Sequence, residues 1–360
     1  MRLTRGSDLK PKPISWAWCG WLARGKAHIL GGQPGSRKTT IATRLAATVT
    51  KGGRWPDGTC HVGGGNVVIW SGEDDPQDTL VPRLIASGAD MDRIFFVEDV
   101  VEAGKEQRAF DPAKDIVPLR AAIRAAGGAM MIIVDPIVSA VSGDSHKNGE
   151  TRRALQPLVD LASDVDAALI GITHFSKGTS GSDPLERITG SIAFGALARV
   201  VMVAAKEAVG EDGLEGRRIL ARAKSNIGPD QGGFAYSLVQ VPVPGHELIT
   251  ASIVEWGEGI AGSARDMLAV AEAEEDDEGS ALREAKDFLL DLLSEGPRAV
   301  KAIHDAARLA GQSPKTLRRA KDALGVVPKK TGMTAGWEWS LPEDDHQNPK
   351  MPTPETWAPS

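Results

Sequence analysis

Gly31-Gly32-Gln33-Pro34-Gly35-Ser36-Arg37-Lys38-Thr39 decides how the rest of this chain is read. From Gly32 it follows G-x-x-x-x-G-K-[ST], with Arg37 standing where the second glycine belongs. In that pattern backbone N–H groups cradle phosphate oxygens, the lysine reaches the β- and γ-phosphates and the hydroxyl binds Mg²⁺. The cradle residues are therefore Gly32, Gln33, Pro34, Gly35, Ser36, Arg37, Lys38, Thr39 and Thr40. The flanks agree. Ala27-His28-Ile29-Leu30 is a short apolar run suited to a buried strand, and Ile41, Leu45 and Thr48 follow at helical spacing. A strand, a glycine turn and a helix start form an anion site, because unpaired N–H groups and the helix dipole converge there. The plainer reading, a glycine-rich surface turn, leaves the lysine and hydroxyl unexplained. Arg37 either distorts the cradle or adds a guanidinium contact to phosphate; retention of Lys38 and Thr39 favours the second.

Moving outward, residues from about 26 to 260 alternate short apolar runs with helical patterns, the mark of an α/β domain with a mostly parallel, twisted sheet. Strands are expected at 27–31, 66–71, 93–98, 130–135, 167–174, 199–206 and 217–225, with an antiparallel pair at 234–241 and 248–256. Residues 1–25 read as a lead-in carrying Trp16, Trp18 and Trp21. Residues 261–280 contain an acidic run and read as a solvated linker. Within 281–341, three helical patterns and two short β segments compose a small winged helix-turn-helix, its third helix starting at Ser313-Pro314. Residues 342–360, polar and proline-rich, read as a disordered tail.

Bulk properties narrow the function. The 360 residues suit two domains, and a net charge of −6 excludes a surface coated with basic groups, so any nucleic-acid site is local. Cys19 and Cys60 have no metal-like spacing and fit a reduced, cytoplasmic setting. No stretch is long and apolar enough to span a bilayer.

Two further strand ends carry acidic groups. Val67-Val68-Ile69-Trp70-Ser71-Gly72-Glu73-Asp74-Asp75 sets carboxylates where α/β sheets bind ligands. Glu73 is the candidate general base, polarising water for attack on the γ-phosphate, while Asp74 or Asp75 reads as a helix cap after the turn. Met130-Met131-Ile132-Ile133-Val134-Asp135 has the Walker B form, with Asp135 and Thr39 the expected Mg²⁺ ligands. His174 ends another apolar strand, and two readings stay open: a γ-phosphate sensor or a hydrogen-bonded strand-end histidine.

The order of these motifs resembles the RecA-like P-loop NTPase fold and, within it, the RepA-type hexameric helicases and related phage and plasmid AAA-family ATPases. The carrying residues are 31–39, Ser71-Gly72-Glu73-Asp74, Ile132-Ile133-Val134-Asp135-Pro136, Gly171-Ile172-Thr173-His174-Phe175-Ser176-Lys177 and Arg222-Ala223-Lys224-Ser225-Asn226. The likeness covers about residues 14–258. It implies a ring of identical subunits, a hexamer, with ATP and Mg²⁺ between neighbours and Lys38, Glu73, Asp135 and His174 on one face. A basic finger from the next subunit completes such a site. Arg199 is one candidate for it; Arg222 and Lys224, which resemble paired basic residues of DnaB-like helicases, are the other. Each is equally readable as a surface ion pair.

The resemblance also places the loops 141–149 and 177–183 at a central channel, where Lys147 and Lys177 would follow a single-stranded DNA backbone. Residues 281–340 carry 11 Lys and Arg against 7 Asp and Glu. Lys315, Arg318 and Arg319 share one face of the third helix, as in a helix that enters the major groove of duplex DNA. The expected function is an ATP-dependent DNA helicase or translocase for replication of a phage, plasmid or mobile element, with replication proteins as partners. The competing readings are a nucleotide-switched DNA-binding regulator and a recombinase-like filament former.

Overall fold

The computed structural model describes residues 3–98, 100, 108, 110–141, 148–176, 179, 181–188, 192–206, 217–293, 296–309, 314–330 and 337–341. The chain divides into two compact units, Met1–Glu274 and Glu275–Ser360.

In the first unit, β1 (Trp16–Trp18) and β2 (Leu22–Ala23) form a hairpin ahead of β3 (Ala27–Gly32), which leads into α1 (Lys38–Lys51). A second small hairpin pairs β4 (Gly53–Arg54) with β5 (Cys60–His61). Then come β6 (Val67–Ser71), α2 (Val81–Ala86), β7 (Ile94–Phe96), α3 (Pro112–Ala125), β8 (Met131–Asp135), α4 (Asn148–Asp164) and β9 (Ala168–Ile172). The unit continues with α5 (Ile192–Leu197), β10 (Val200–Lys206), β11 (Arg218–Ser225), β12 (Gly233–Val243) and β13 (His246–Ile260). Among the described residues one sheet holds nine strands in the order β13-β12-β11-β10-β3-β9-β8-β6-β7. The six from β10 to β7 run parallel, and β11, β12 and β13 extend the sheet antiparallel. Each expected strand falls on one of these nine. β8 and β9 are buried along their whole length, as their unbroken apolar runs require.

Helix α1 buries Ile41, Ala42, Leu45, Ala46 and Val49, a stripe at helical spacing. Each of the larger side chains contributes about 1.5–3 kcal/mol by leaving water. The helix stops at Gly52, whose positive φ of 86° is easy for glycine and whose N–H bonds the Thr48 carbonyl.

The later part of the stretch read as a lead-in, from Trp16 on, is built into this unit. Trp18 is fully buried, with its ring 4.8 Å from Trp21 and 5.1 Å from Trp55, both stacked. The indole N–H groups of Trp18 and Trp55 find acceptors at Asp57 and the Ala17 carbonyl, so burying these two rings strands neither donor. His28 on β3 ties hairpin and sheet together: its Nε2 accepts from the Ala23 N–H at 2.9 Å and its Nδ1 faces the Leu169 carbonyl at 3.0 Å. That pairing requires the neutral ring with its proton on Nδ1. Burial drives the His28 pKa down to about 4, with the Leu169 carbonyl opposing. The unfolded chain therefore takes up a proton that the fold excludes. The contribution of neutral His28 is fully present above pH 6.5 and shrinks as pH falls toward 4. Urea unfolding at pH 6.5 and pH 5 should show a loss of about 2 kcal/mol attributable to His28, absent from a His28→Asn variant.

The acidic run expected as a linker is helical instead. A single helix, α6, spans Ala264–Leu293. Its Ala, Glu, Leu and Met residues are strong helix formers, and this outweighs the repulsion among its carboxylates. Ala264, Met267, Leu268 and Ala271 belong to the core of the first unit.

The second unit contains the end of α6, then β14 (Arg298–Ala299), α7 (Val300–Leu309), α8 (Pro314–Ala323), β15 (Val327–Lys330) and β16 (Trp337–Ser340). The strands form an antiparallel sheet in the order β14-β16-β15. Ala285, Leu289, Leu293, Ile303, Ala307, Leu317, Ala320, Val326 and Trp339 make its core. Ser313, the expected cap of α8, and the tail 342–360 lie outside the described residues. No helix among the described residues is long and apolar enough to cross a membrane.

Candidate nucleotide site

The parallel order β3-β9-β8-β6 brings four strand ends side by side. In chain order these ends carry the phosphate loop, Glu73, Asp135 and His174. The sheet thus assembles residues scattered over more than a hundred positions, at the edge where α/β proteins bind ligands. A cavity of about 180 Å³ opens there, lined by Gly35, Arg37, Lys38, Thr39, Thr40, Glu73, Asp74, Arg83, Asp135, Ile172 and His174.

Lys38 is almost fully buried, and its Nζ donates to the Gly32 and Gln33 carbonyls at 3.2 and 3.0 Å. It also lies 3.1 Å from His174 Nδ1. Burial pulls the Lys38 pKa down to about 8, while Asp135 and Glu73 oppose that shift. The His174 pKa is lowered, first by desolvation and then by the Lys38 charge. A neutral ring accepting at Nδ1 from the ammonium satisfies both groups. His174 is therefore a direct partner of the phosphate-loop lysine.

Thr39 Oγ1 donates to Asp135 Oδ2 at 2.7 Å. Asp135 is buried, and its pKa rises to about 6: desolvation is the main cause, opposed by the Thr39 bond and reinforced by Glu73 and Asp74. A hydroxyl and a carboxylate in contact, beside further carboxylates, form a hard-oxygen set that fits Mg²⁺. Thr39 and Asp135 would hold the ion, which neutralises phosphate charge when bound.

Glu73 is exposed at the cavity and acts electrostatically on Lys38, Asp135 and His174. The neighbouring acids are occupied. Asp74 Oδ2 pairs with Arg83 Nη1 at 3.0 Å, and Asp75 Oδ1 caps the turn Pro76–Leu80 by accepting from the N–H groups of Gln77 and Asp78. Arg83 escaped notice in the sequence because nothing in a short helix reveals that it faces a site 9 residues upstream.

The backbone of the loop depends on Gly32, Gly35 and Arg37. Gly32 is needed because a Cβ there would overlap the Ala204 carbonyl oxygen of β10. Gly35 has φ 80°. Arg37 itself adopts φ 59°, ψ 43°, the left-handed region, with its side chain exposed at the cavity. A side chain in that region costs about 1–2 kcal/mol, which glycine avoids. The chain therefore carries strain at the arginine. Arg37→Gly should raise unfolding stability by about 0.5–1 kcal/mol, after the extra unfolded-chain entropy of glycine is subtracted. Chemical denaturation of the two proteins checks this.

The candidate finger residues lie elsewhere. Arg222 is buried: Nη1 donates to the Gly20 carbonyl at 2.9 Å, Nη2 to the Gln231 carbonyl, and its guanidinium sits 4.5 Å over Trp21. It braces the tryptophan hairpin. Lys224 Nζ donates to the Gly195 and Ala198 carbonyls at 2.6 and 3.4 Å, a cation at the C-terminal end of α5. Arg199 is exposed, just ahead of β10. Lys147 and Lys177 lie outside the described residues. In the second unit Arg318 is exposed and Arg319 partly buried, while the side chain of Lys315 is outside the description.

A family model described as the AAA domain matches residues 2–180, a stretch that contains the phosphate loop, Glu73, Asp135 and His174. No curated protein matches the chain. The family implies nucleotide binding, typically with Mg²⁺, and the donor set above suits both. The match spans just under half of the 360 residues and supports a P-loop ATPase of the AAA/RecA-like kind.

Proposed function

We propose that the chain is an ATP-driven DNA translocase or helicase that works as a ring, a hexamer, in the replication of a phage, plasmid or mobile element. The observation that supports this best is the 3.1 Å contact between Lys38 and His174. It joins the lysine that would hold the γ-phosphate to the strand end leading into residues 177–183. Loss of the phosphate changes the charge that Lys38 presents to His174, and such a contact can pass the change into the following loop. In this reading Glu73 is the general base, Arg199 the trans cation, and Lys147 and Lys177 contacts to single-stranded DNA. Arg222 and Lys224, being committed within the subunit, are the weaker finger candidates.

The second unit supports a role for duplex DNA. Its order, helix, strand, two helices and two strands, suits the winged-helix reading, and Arg318 is exposed on α8. Lys315, Arg318 and Arg319 are the proposed contacts. This observation also favours the second reading, a nucleotide-switched DNA-binding regulator that does not unwind.

Steady-state ATP turnover should rise about tenfold or more when single-stranded DNA is added, and electron microscopy should show rings. Turnover indifferent to single-stranded DNA, with no unwinding of a forked duplex, would favour the regulator.

A further inference from the structure

The phosphate loop is braced by a residue 200 positions away. Tyr236 of β12 donates its hydroxyl to the Ser36 carbonyl at 2.6 Å, and both residues are buried. The rest of Ser36 faces the other way: its N–H and Oγ both reach the Gln33 carbonyl, at 3.3 and 2.8 Å. The tyrosine ring is itself set by Trp256, edge-on at 6.0 Å. Burial raises the phenol pKa far above its usual value, so the hydroxyl stays protonated and can donate.

The Ser36–Arg37 peptide is trans; among the described residues the cis bond is Asp135–Pro136. A trans peptide sends its C=O and N–H in opposite directions. Holding the Ser36 carbonyl toward β12 therefore fixes the Arg37 N–H away from β12, on a residue that lines the cavity. Arg37 has no side-chain cap over the helix start, so the first N–H groups of α1 remain available to an anion. The same peptide precedes the left-handed Arg37, the position where the motif normally has glycine. Glycine adopts that conformation at no steric cost; arginine must be held in it.

We propose that Tyr236 is a positioning residue for the phosphate loop, and that its hydrogen bond to Ser36 compensates for the glycine missing at position 37. The hydroxyl fixes the peptide plane whose N–H faces phosphate, in a loop whose own residue 37 resists that geometry. Tyr236 never touches nucleotide; it acts through Ser36. The inference rests on the ATP-site reading.

The test is a double-mutant cycle on the full chain, with the dissociation constant of Mg²⁺-ATP read by calorimetry and thermal melting as a check on folding. Tyr236→Phe keeps the ring and removes the donor. It should weaken nucleotide binding about five- to tenfold in the Arg37 protein. In the Arg37→Gly background the same change should cost less than about twofold, because glycine holds the loop unaided. Unchanged affinity in Tyr236→Phe overturns the positioning role. An equal loss in both backgrounds overturns the compensation. A wild type that binds no Mg²⁺-ATP overturns the ATP reading and this inference together, whereas a binding wild type with an unaffected Tyr236→Phe sinks this inference alone.

Discussion

Lys38→Ala should abolish Mg²⁺-dependent ATP binding at micromolar protein and lower turnover by about a thousandfold or more. The reason lies in how the lysine is held. Among the described residues its ammonium bonds two carbonyl oxygens and an imidazole, and burial has already pulled its pKa to about 8 against the pull of Asp135 and Glu73. A charge so incompletely compensated gains strongly from a phosphate oxygen, since charge-assisted bonds are roughly twice as strong as neutral ones. At pH 7 the group is still an ammonium, so the attraction is available without a proton cost. Alanine removes the charge, while the Gly32 and Gln33 carbonyls keep the Phe175 N–H and the Ser36 donors. The fold should survive, because the cradle is also closed by the Ser36 bonds to Gln33 and by the Tyr236 bond to Ser36. Equilibrium ATP binding, single-turnover hydrolysis and circular dichroism on the same preparation separate loss of the site from loss of structure.

Glu73→Gln should separate binding from chemistry. Glu73 ends no hydrogen-bond network of the fold; it is exposed at the cavity, where its charge is felt by Lys38, Asp135 and His174. Its neighbours are spoken for, Asp74 by Arg83 and Asp75 by the cap of the following turn. That leaves Glu73 as the carboxylate at this strand end suited to take a proton from attacking water. Glutamine keeps shape and polarity but cannot accept that proton. Turnover should fall by about a thousandfold, within the range for losing a general base, while ATP affinity changes less than threefold. A parallel loss of affinity would assign Glu73 to holding nucleotide or metal instead. Full turnover in Glu73→Gln would remove it from the mechanism.

The parts of this site that the sequence makes legible are local ones. A glycine turn between strand and helix, or an apolar run ending in a carboxylate, has its chemistry and its geometry in the same few residues. The buried parallel strands such as β8 and β9 are visible for a related reason: they leave unbroken apolar runs. What stays hidden depends on contacts between distant positions. Tyr236 meets Ser36 across 200 residues, and Arg222 meets Gly20 across 202. An arginine on a strand next to a lysine reads as a surface cation, yet Arg222 lies against Trp21 with its donors on two carbonyls. Local features misled where two signals compete. The acidic run near Glu274 has the charge of a linker and the helix propensity of α6, and propensity prevails. The Trp16–Trp18 hairpin is too short for periodicity to reveal, although the stacked indoles make it part of the core. The left-handed Arg37 marks the reverse case, a local rule broken at the candidate site, one residue from the Ser36 carbonyl that Tyr236 bonds.

The most direct test of the central claim is calorimetric titration of ATP into the full chain, with Mg²⁺ and with EDTA. The account predicts saturable binding near one ATP per chain in Mg²⁺, about tenfold or more weaker binding in EDTA, and none in Lys38→Ala. Absence of binding in Mg²⁺, or binding that Lys38→Ala leaves intact, would contradict it.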